Sequence, residues 1–209
     1  MNTKINYQKK LDEILISIEK NNPKPRLLLH SCCAPCSSYV LEYLSNYFEI
    51  FLLFYNPNIV PFVEYDKRFK ELKRLIAEMK FPNNVQIFDC EYENEKFKNM
   101  AKGLEDEPEG FERCFRCYWL RMEKTAIIAK ANNFDYFTTT LSISPHKNAQ
   151  KLNEIGYNLQ EKYETKYLCA DFKKNEGYKR SIQLSKEYNL YRQIYCGCTP
   201  PKSDLHKII

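Results

Sequence analysis

Seven of the nine cysteines in this chain fall in three tight groups, and thiols so placed do redox chemistry or hold soft metals. The first group is HSCCAPC, residues 30–36, where Cys32, Cys33 and Cys36 directly follow the apolar run Leu27-Leu28-Leu29. The second is Cys114-x-x-Cys117 in FERCFRCYW, and the third is Cys196-Gly-Cys198 in YCGC. The thiolate is the reactive and ligating form, and a helix N-terminus favours it. Paired CxxC units suggest zinc, but ribbon-type sites place them about 15–20 residues apart, far closer than Cys36 and Cys114. Sulfur-rich ligation with no His-x-His partner points to zinc or an iron–sulfur cluster, and ligand type alone does not choose between them. Two thiols around a glycine can close a strained, labile ring, the catalytic kind of disulfide, or hold a metal.

The remaining candidates are weaker. Cys90 and Cys169 stand alone and read as small buried hydrophobes. His30 ends the apolar run and reads as a buried histidine held by backbone, ahead of an acid or a ligand. His146, in SPHKN, is the better candidate to touch a substrate, while His206 carries no signal. Arg113 and Arg116 flank the second thiol pair, where they would favour thiolate or bind phosphate, or simply belong to a solvated helix face.

Elements that could position these residues alternate along the chain. Apolar spacing predicts helices near 6–20, 37–47, 62–80, 114–131, 149–162 and 177–187. Strands are predicted at Arg26–Leu29, Ile50–Tyr55, Val85–Phe88 and Tyr136–Thr140, with Tyr167-Leu168 as a fifth. Alternation of this kind gives an α/β fold with a mostly parallel sheet flanked by helices, which binds ligands beyond the carboxyl ends of its strands where strand order reverses. If the first and fourth strands meet at that point, the loops HSCCAPC and SISPHKN face each other. The whole of 1–209 reads as a single α/β domain, with residues 1–25 as a helical extension and 191–209 as a cysteine-bearing tail.

Composition limits the setting. No segment approaches the roughly 18 apolar residues of a membrane span, and the start MNTKINYQKK lacks a signal-type apolar core. A cytoplasmic protein is the expectation, and in a reducing compartment nine cysteines serve metals or redox chemistry more readily than structural bridges. The net charge of +5 permits contact with a polyanion without demanding it.

HSCCAPC, ERCFRCYWLRMEKTA, TTTLSISPHKN and DFKKNEGYKRSIQLSKEYNLYRQIYCGC together resemble the cobalamin-independent epoxyqueuosine reductases, the QueH family, from about Arg26 to Cys198. The resemblance implies a Rossmann-like fold of the nucleotide α-hydrolase-like (HUP) type and the last step of queuosine synthesis, reduction of the epoxide of epoxyqueuosine in the anticodon loop of tRNA. It implies Cys32, Cys33, Cys114 and Cys117 as ligands of a 4Fe–4S cluster and Cys196 with Cys198 as a redox-active pair. An additional mononuclear iron is also implied, with Cys36, where relatives can carry Asp, as a candidate ligand. The electron donor is not identified by the resemblance. A tRNA substrate would use Lys173, Lys174, Lys179, Arg180 and Arg192 for phosphate contacts, with His146, Lys147 and Arg180 as candidate substrate-binding residues. Asn189 stands where the family pattern has Gly, a difference confined to turn geometry.

Three rivals remain at this stage. A thioredoxin-like thiol oxidoreductase rests on CAPC at a strand–helix junction but leaves four grouped thiols without a role. A zinc-stabilised RNA-binding module rests on the paired CxxC units and the basic balance. An ATP-using tRNA-modifying enzyme of the same fold would need a glycine-rich phosphate loop after the first strand, where this chain has cysteines and no glycine.

Overall fold

The computed structural model of the chain describes residues 5–198. Four strands, β1 (Arg26–His30), β2 (Glu49–Leu53), β3 (Val85–Phe88) and β4 (Tyr136–Thr139), form one parallel sheet in the order β3-β2-β1-β4. Seven α-helices are described: α1 (Tyr7–Ile18), α2 (Ala34–Leu44), α3 (Phe62–Glu78), α4 (Asn94–Ala101), α5 (Glu112–Ala131), α6 (Ala149–Tyr163) and α7 (Gly177–Glu187).

The central strand β1 is a continuous apolar run, as a parallel strand covered on both faces must be. Its side chains alternate between the two covers. Leu28 packs with Tyr118 and Met122 of α5 and Leu152 of α6, while Leu27 and Leu29 pack with Val40 and Leu41 of α2 and Leu11 of α1. The expected α/β sheet is therefore present, with helices on both sides. The expected N-terminal extension contributes α1, whose Leu11, Leu15 and Ile18 are buried in that second layer. Among the described residues no helix is long and apolar enough to cross a membrane.

Three elements differ from expectation. α2 starts at Ala34, earlier than predicted, because Pro35 suits the first helical turn; Cys33 becomes the N-cap and Cys36 falls inside that turn. α4 was not anticipated, since its eight residues bury only Phe97 and Ala101 and no side chain caps it. The fifth strand shrinks to one parallel bridge between Phe137 and Tyr167, flanked by Phe137 N–H to Lys166 and Leu168 N–H to Phe137 bonds of 2.9 Å each. Asn189, just beyond α7, takes φ +46°, a left-handed turn that Asn tolerates.

Candidate functional site

β1 and β4 are neighbours at the reversal of strand order, so their following loops meet there. The β1 loop supplies Cys32 and Cys33, and the first turn of α2 supplies Cys36. Their three sulfurs lie within 4.8 Å of one another, with Cys32 and Cys33 3.8 Å apart. From the β4 side, Thr140 Oγ1 accepts the Cys32 amide at 3.2 Å and lies 3.4 Å from the Cys32 sulfur. Hydrogen bonds from Cys33 and Cys36, with the Arg121 charge and Thr140, hold the Cys32 thiol well below its ordinary range. That same thiol, with burial, pushes Cys33 and Cys36 up.

α5 brings the second group. Cys114, Cys117 and Arg121 recur at helical spacing on one face, and all three are buried. Arg121 Nε donates to His30 Nε2 at 3.2 Å, another guanidinium nitrogen donates to Asn56 Oδ1, and a third lies 4.0 Å from Cys117 Sγ. Because Arg121 can only donate, His30 Nε2 accepts and the proton sits on Nδ1, 2.8 Å from Thr139 Oγ1. Burial, reinforced by the Arg121 charge, pushes His30 down to about 3, so it is neutral. Burial pushes Cys117 up to about 12, against the pull of Arg121. The Cys114 sulfur accepts the Gly110 amide at 3.2 Å.

The third group arrives from the tail. Lys147 Nζ lies 3.3 Å from Cys196 Sγ and 2.7 Å from Glu109 Oε1. Burial alone would push the ammonium down, but Cys196, Tyr118 and Glu109 together outweigh it and the net direction is up. Cys198 packs against Phe97, Ala101 and Cys117, and Gln193 Nε2 donates to Cys33 Sγ at 3.1 Å. The Arg121 charge acts on Cys117, Cys32 and Cys196, one member of each group. The first and third groups border a cavity of about 390 Å³ whose wall includes Cys32, Cys36, Arg121, Lys147 and Cys196, while Cys114 and Cys117 stand behind Arg121 and off that wall.

The other predicted residues are distributed unevenly. His146 is exposed on the cavity wall, whereas Lys147, its neighbour, is buried. Arg180 is paired with Glu42 at 2.6 Å and Glu187 at 2.8 Å, and the cavity wall takes Tyr178 and Ser181 from its helix instead. Arg192 is exposed on that wall. Lys173 pairs with Asp171 and Lys179 with Glu176, while Lys174 is exposed. Arg116 pairs with Glu112 on a half-exposed surface, and Arg113 donates to the Glu105 carbonyl. Cys169 is in the core, Cys90 is half-buried, and neither joins the grouped thiols. His206 lies outside the described residues.

Sequence reasoning missed Arg121, Asn56, Glu109 and Tyr118. Only Arg121 left a signal, four residues after Cys117 in CFRCYWLR.

The residues present fit a metal held by sulfur. The donors are thiols, the soft ligand type for iron–sulfur clusters and zinc, and the Cys32–Cys33–Cys36 trio can hold a metal ion. Two buried polar atoms beside them, the Tyr118 hydroxyl and Gln193 Oε1, find no hydrogen-bond partner among the described residues. Buried orphans are uncommon, and next to grouped sulfurs they suit a polar occupant.

A sequence model described as epoxyqueuosine reductase QueH matches residues 27–203. The chain belongs to the QueH family. The match spans all three thiol groups and leaves α1 outside. The proteins named epoxyqueuosine reductase QueH from Staphylococcus epidermidis and Streptococcus pyogenes are 47% and 45% identical, each alignment covering 94% of this chain and 84% and 78% of the relative. The QueH relative from Thermotoga maritima is 36% identical over 82% of this chain and 88% of its own length.

Proposed function

We propose that this enzyme reduces the epoxide of epoxyqueuosine in tRNA to the alkene of queuosine. The observation that carries the reading is that Cys32 and Cys36 of the first thiol group and Cys196 of the third line one cavity with the buried Arg121, whose charge also reaches Cys117 of the second. The reaction removes one oxygen as water and consumes two electrons and two protons. Closing a dithiol to a disulfide releases that number of each, so the pair Cys196 and Cys198 balances one turnover and is then re-reduced by an external donor.

In this reading Cys32, Cys33, Cys114 and Cys117 hold a 4Fe–4S cluster, and Cys36 serves a second iron. When bound, such centres supply single electrons at potentials set by burial and hydrogen bonding, and an open iron site polarises an oxygen. The protein's own residues prepare the rest. Lys147 Nζ keeps a proton on the cavity wall, where the departing oxygen needs one. Arg121 offsets thiolate charge without titrating. The cavity volume suits one extruded nucleoside, not a helix, so the modified base would be flipped out of the anticodon loop to enter. Arg192 and His146, exposed on the cavity wall, would meet backbone phosphates around the opening.

The test is turnover. The anaerobically purified chain is given tRNA carrying epoxyqueuosine and a low-potential reductant, and the nucleosides are resolved by mass. Conversion of epoxyqueuosine to the species lacking one oxygen supports the reading; an unchanged epoxide with an intact, metal-loaded protein overturns it.

A further inference from the structure

Residues 190–198 carry the CGC motif without any helix or strand, so their backbone groups need partners from elsewhere. α3 supplies them from a single stripe of alternating charge, Glu64, Arg68, Glu71 and Arg74. Arg68, only 2% exposed, donates to the carbonyls of Cys196 at 3.1 Å and Tyr195 at 3.3 Å while Nε is held by Glu64 at 2.7 Å. Glu64 also accepts the Tyr191 hydroxyl at 3.1 Å. One turn on, Glu71 accepts the Tyr191 amide at 2.7 Å, and Arg74 donates to the carbonyls of Tyr188 at 2.9 Å and Asn189 at 3.3 Å. Beyond the stripe, Val60 N–H donates to the Gly197 carbonyl at 2.9 Å and Tyr195 returns a hydroxyl to the Val60 carbonyl at 3.0 Å. Gly197 has φ +128°, a backbone state that favours glycine, and a Cβ there would approach Ile59 to 2.9 Å.

A fully buried arginine spent on two main-chain carbonyls is costly unless their placement matters. These two belong to Cys196 and the residue before it, and the Arg68 side chain also borders the cavity. We propose that the charged stripe of α3 is the latch that seats the Cys196/Cys198 dithiol at the cavity, with Arg68 as its positioning residue. The inference rests on the dithiol role given under the proposed function. The latch sets where the thiols stand, Cys196 against Lys147 and Cys198 against the cluster of Phe97, Ala101 and Cys117.

The experiment uses the full reduced chain and two readouts: alkylation of each cysteine resolved by peptide mass, and steady-state turnover of epoxyqueuosine tRNA. In Arg68→Gln, Cys196 and Cys198 should label roughly tenfold faster or more as the tail opens locally, with Cys169 in the core unchanged. In the same variant kcat should fall by about tenfold or more at unchanged KM, the mark of lost geometry and not lost substrate binding. Arg68→Lys, which keeps the charge without the fork, should recover part of both. Parent-like labelling and kcat in Arg68→Gln overturn the latch. If Arg68→Gln also exposes Cys169, the outer rung decides: Arg74→Gln should free the tail thiols selectively, and no selective change there overturns the proposal. A parent chain that converts no epoxide sinks the function above, and the labelling contrast still judges the latch.

Discussion

Arg121→Met is the most informative single change at the thiol site. Methionine nearly matches the arginine in length and removes its charge and all of its donors. His30 recovers on its own, because its proton can move to Nε2, which lies 3.1 Å from the Tyr55 carbonyl. Asn56 Oδ1 does not recover; it is buried and loses its donor, at a cost of about 1–3 kcal/mol. Relief of the guanidinium's desolvation offsets part of this, so the metal-free chain should lose only about 1–2 kcal/mol, or about 2–8 °C in Tm for a protein of this size. The effect on the site is larger. Cys32, Cys117 and Cys196 all lose the positive charge facing them, and metal retention should weaken by about 10–100-fold, as for other groups that support ligands from behind. Denaturant melts of the metal-free chain and metal content after anaerobic reconstitution measure the two effects separately. Arg121→Lys should keep most of the stability and recover part of the metal. If Arg121→Met binds metal as tightly as the parent, charge compensation by this residue is refuted.

Three further outcomes follow from the structure. In the metal-free chain His30 stays neutral when folded but takes up a proton below about 6.5 when unfolded, so the stability it secures is complete above that pH and drains as pH falls toward 3, by about 2 kcal/mol at pH 5. Denaturant melts of His30→Gln should lack that slope, and equal slopes in both proteins contradict the buried neutral imidazole. Cys36→Ser should lose bound metal while Cys90→Ser keeps it, measured by metal analysis, since Cys36 shares the sulfur trio and Cys90 does not. Gly156→Ala should destabilise by about 1–3 kcal/mol, because a Cβ there would meet the buried Tyr167 ring at 2.3 Å; an unchanged Tm shows that the ring can move aside.

The sheet was legible because its strands are short apolar runs between helical periods, and the loop pairing at the switch point followed from the parallel topology. β1 and its thiol loop could be placed without coordinates. α4 could not, as two buried side chains in eight residues leave no periodic signal. Lys147 looked like a surface lysine for substrate contact because charge in a polar loop normally is; only the fold puts Glu109 and Cys196 against it. Arg180 looked like a phosphate ligand and instead joins Glu42, far away in sequence. Arg68 was invisible, and Arg121 left only its helical spacing from Cys117, for the same reason: the partners of each lie in segments that the chain brings together only on folding.

The central claim is that thiols from separate segments hold one redox centre. Iron and acid-labile sulfide are measured in the anaerobically purified chain beside Cys32→Ser and Cys117→Ser. About four irons with four sulfides, or one further iron, is predicted for the parent, with both variants losing the same centre. Stoichiometric zinc without sulfide, or a Cys117→Ser protein that keeps all its iron and sulfide, would contradict it.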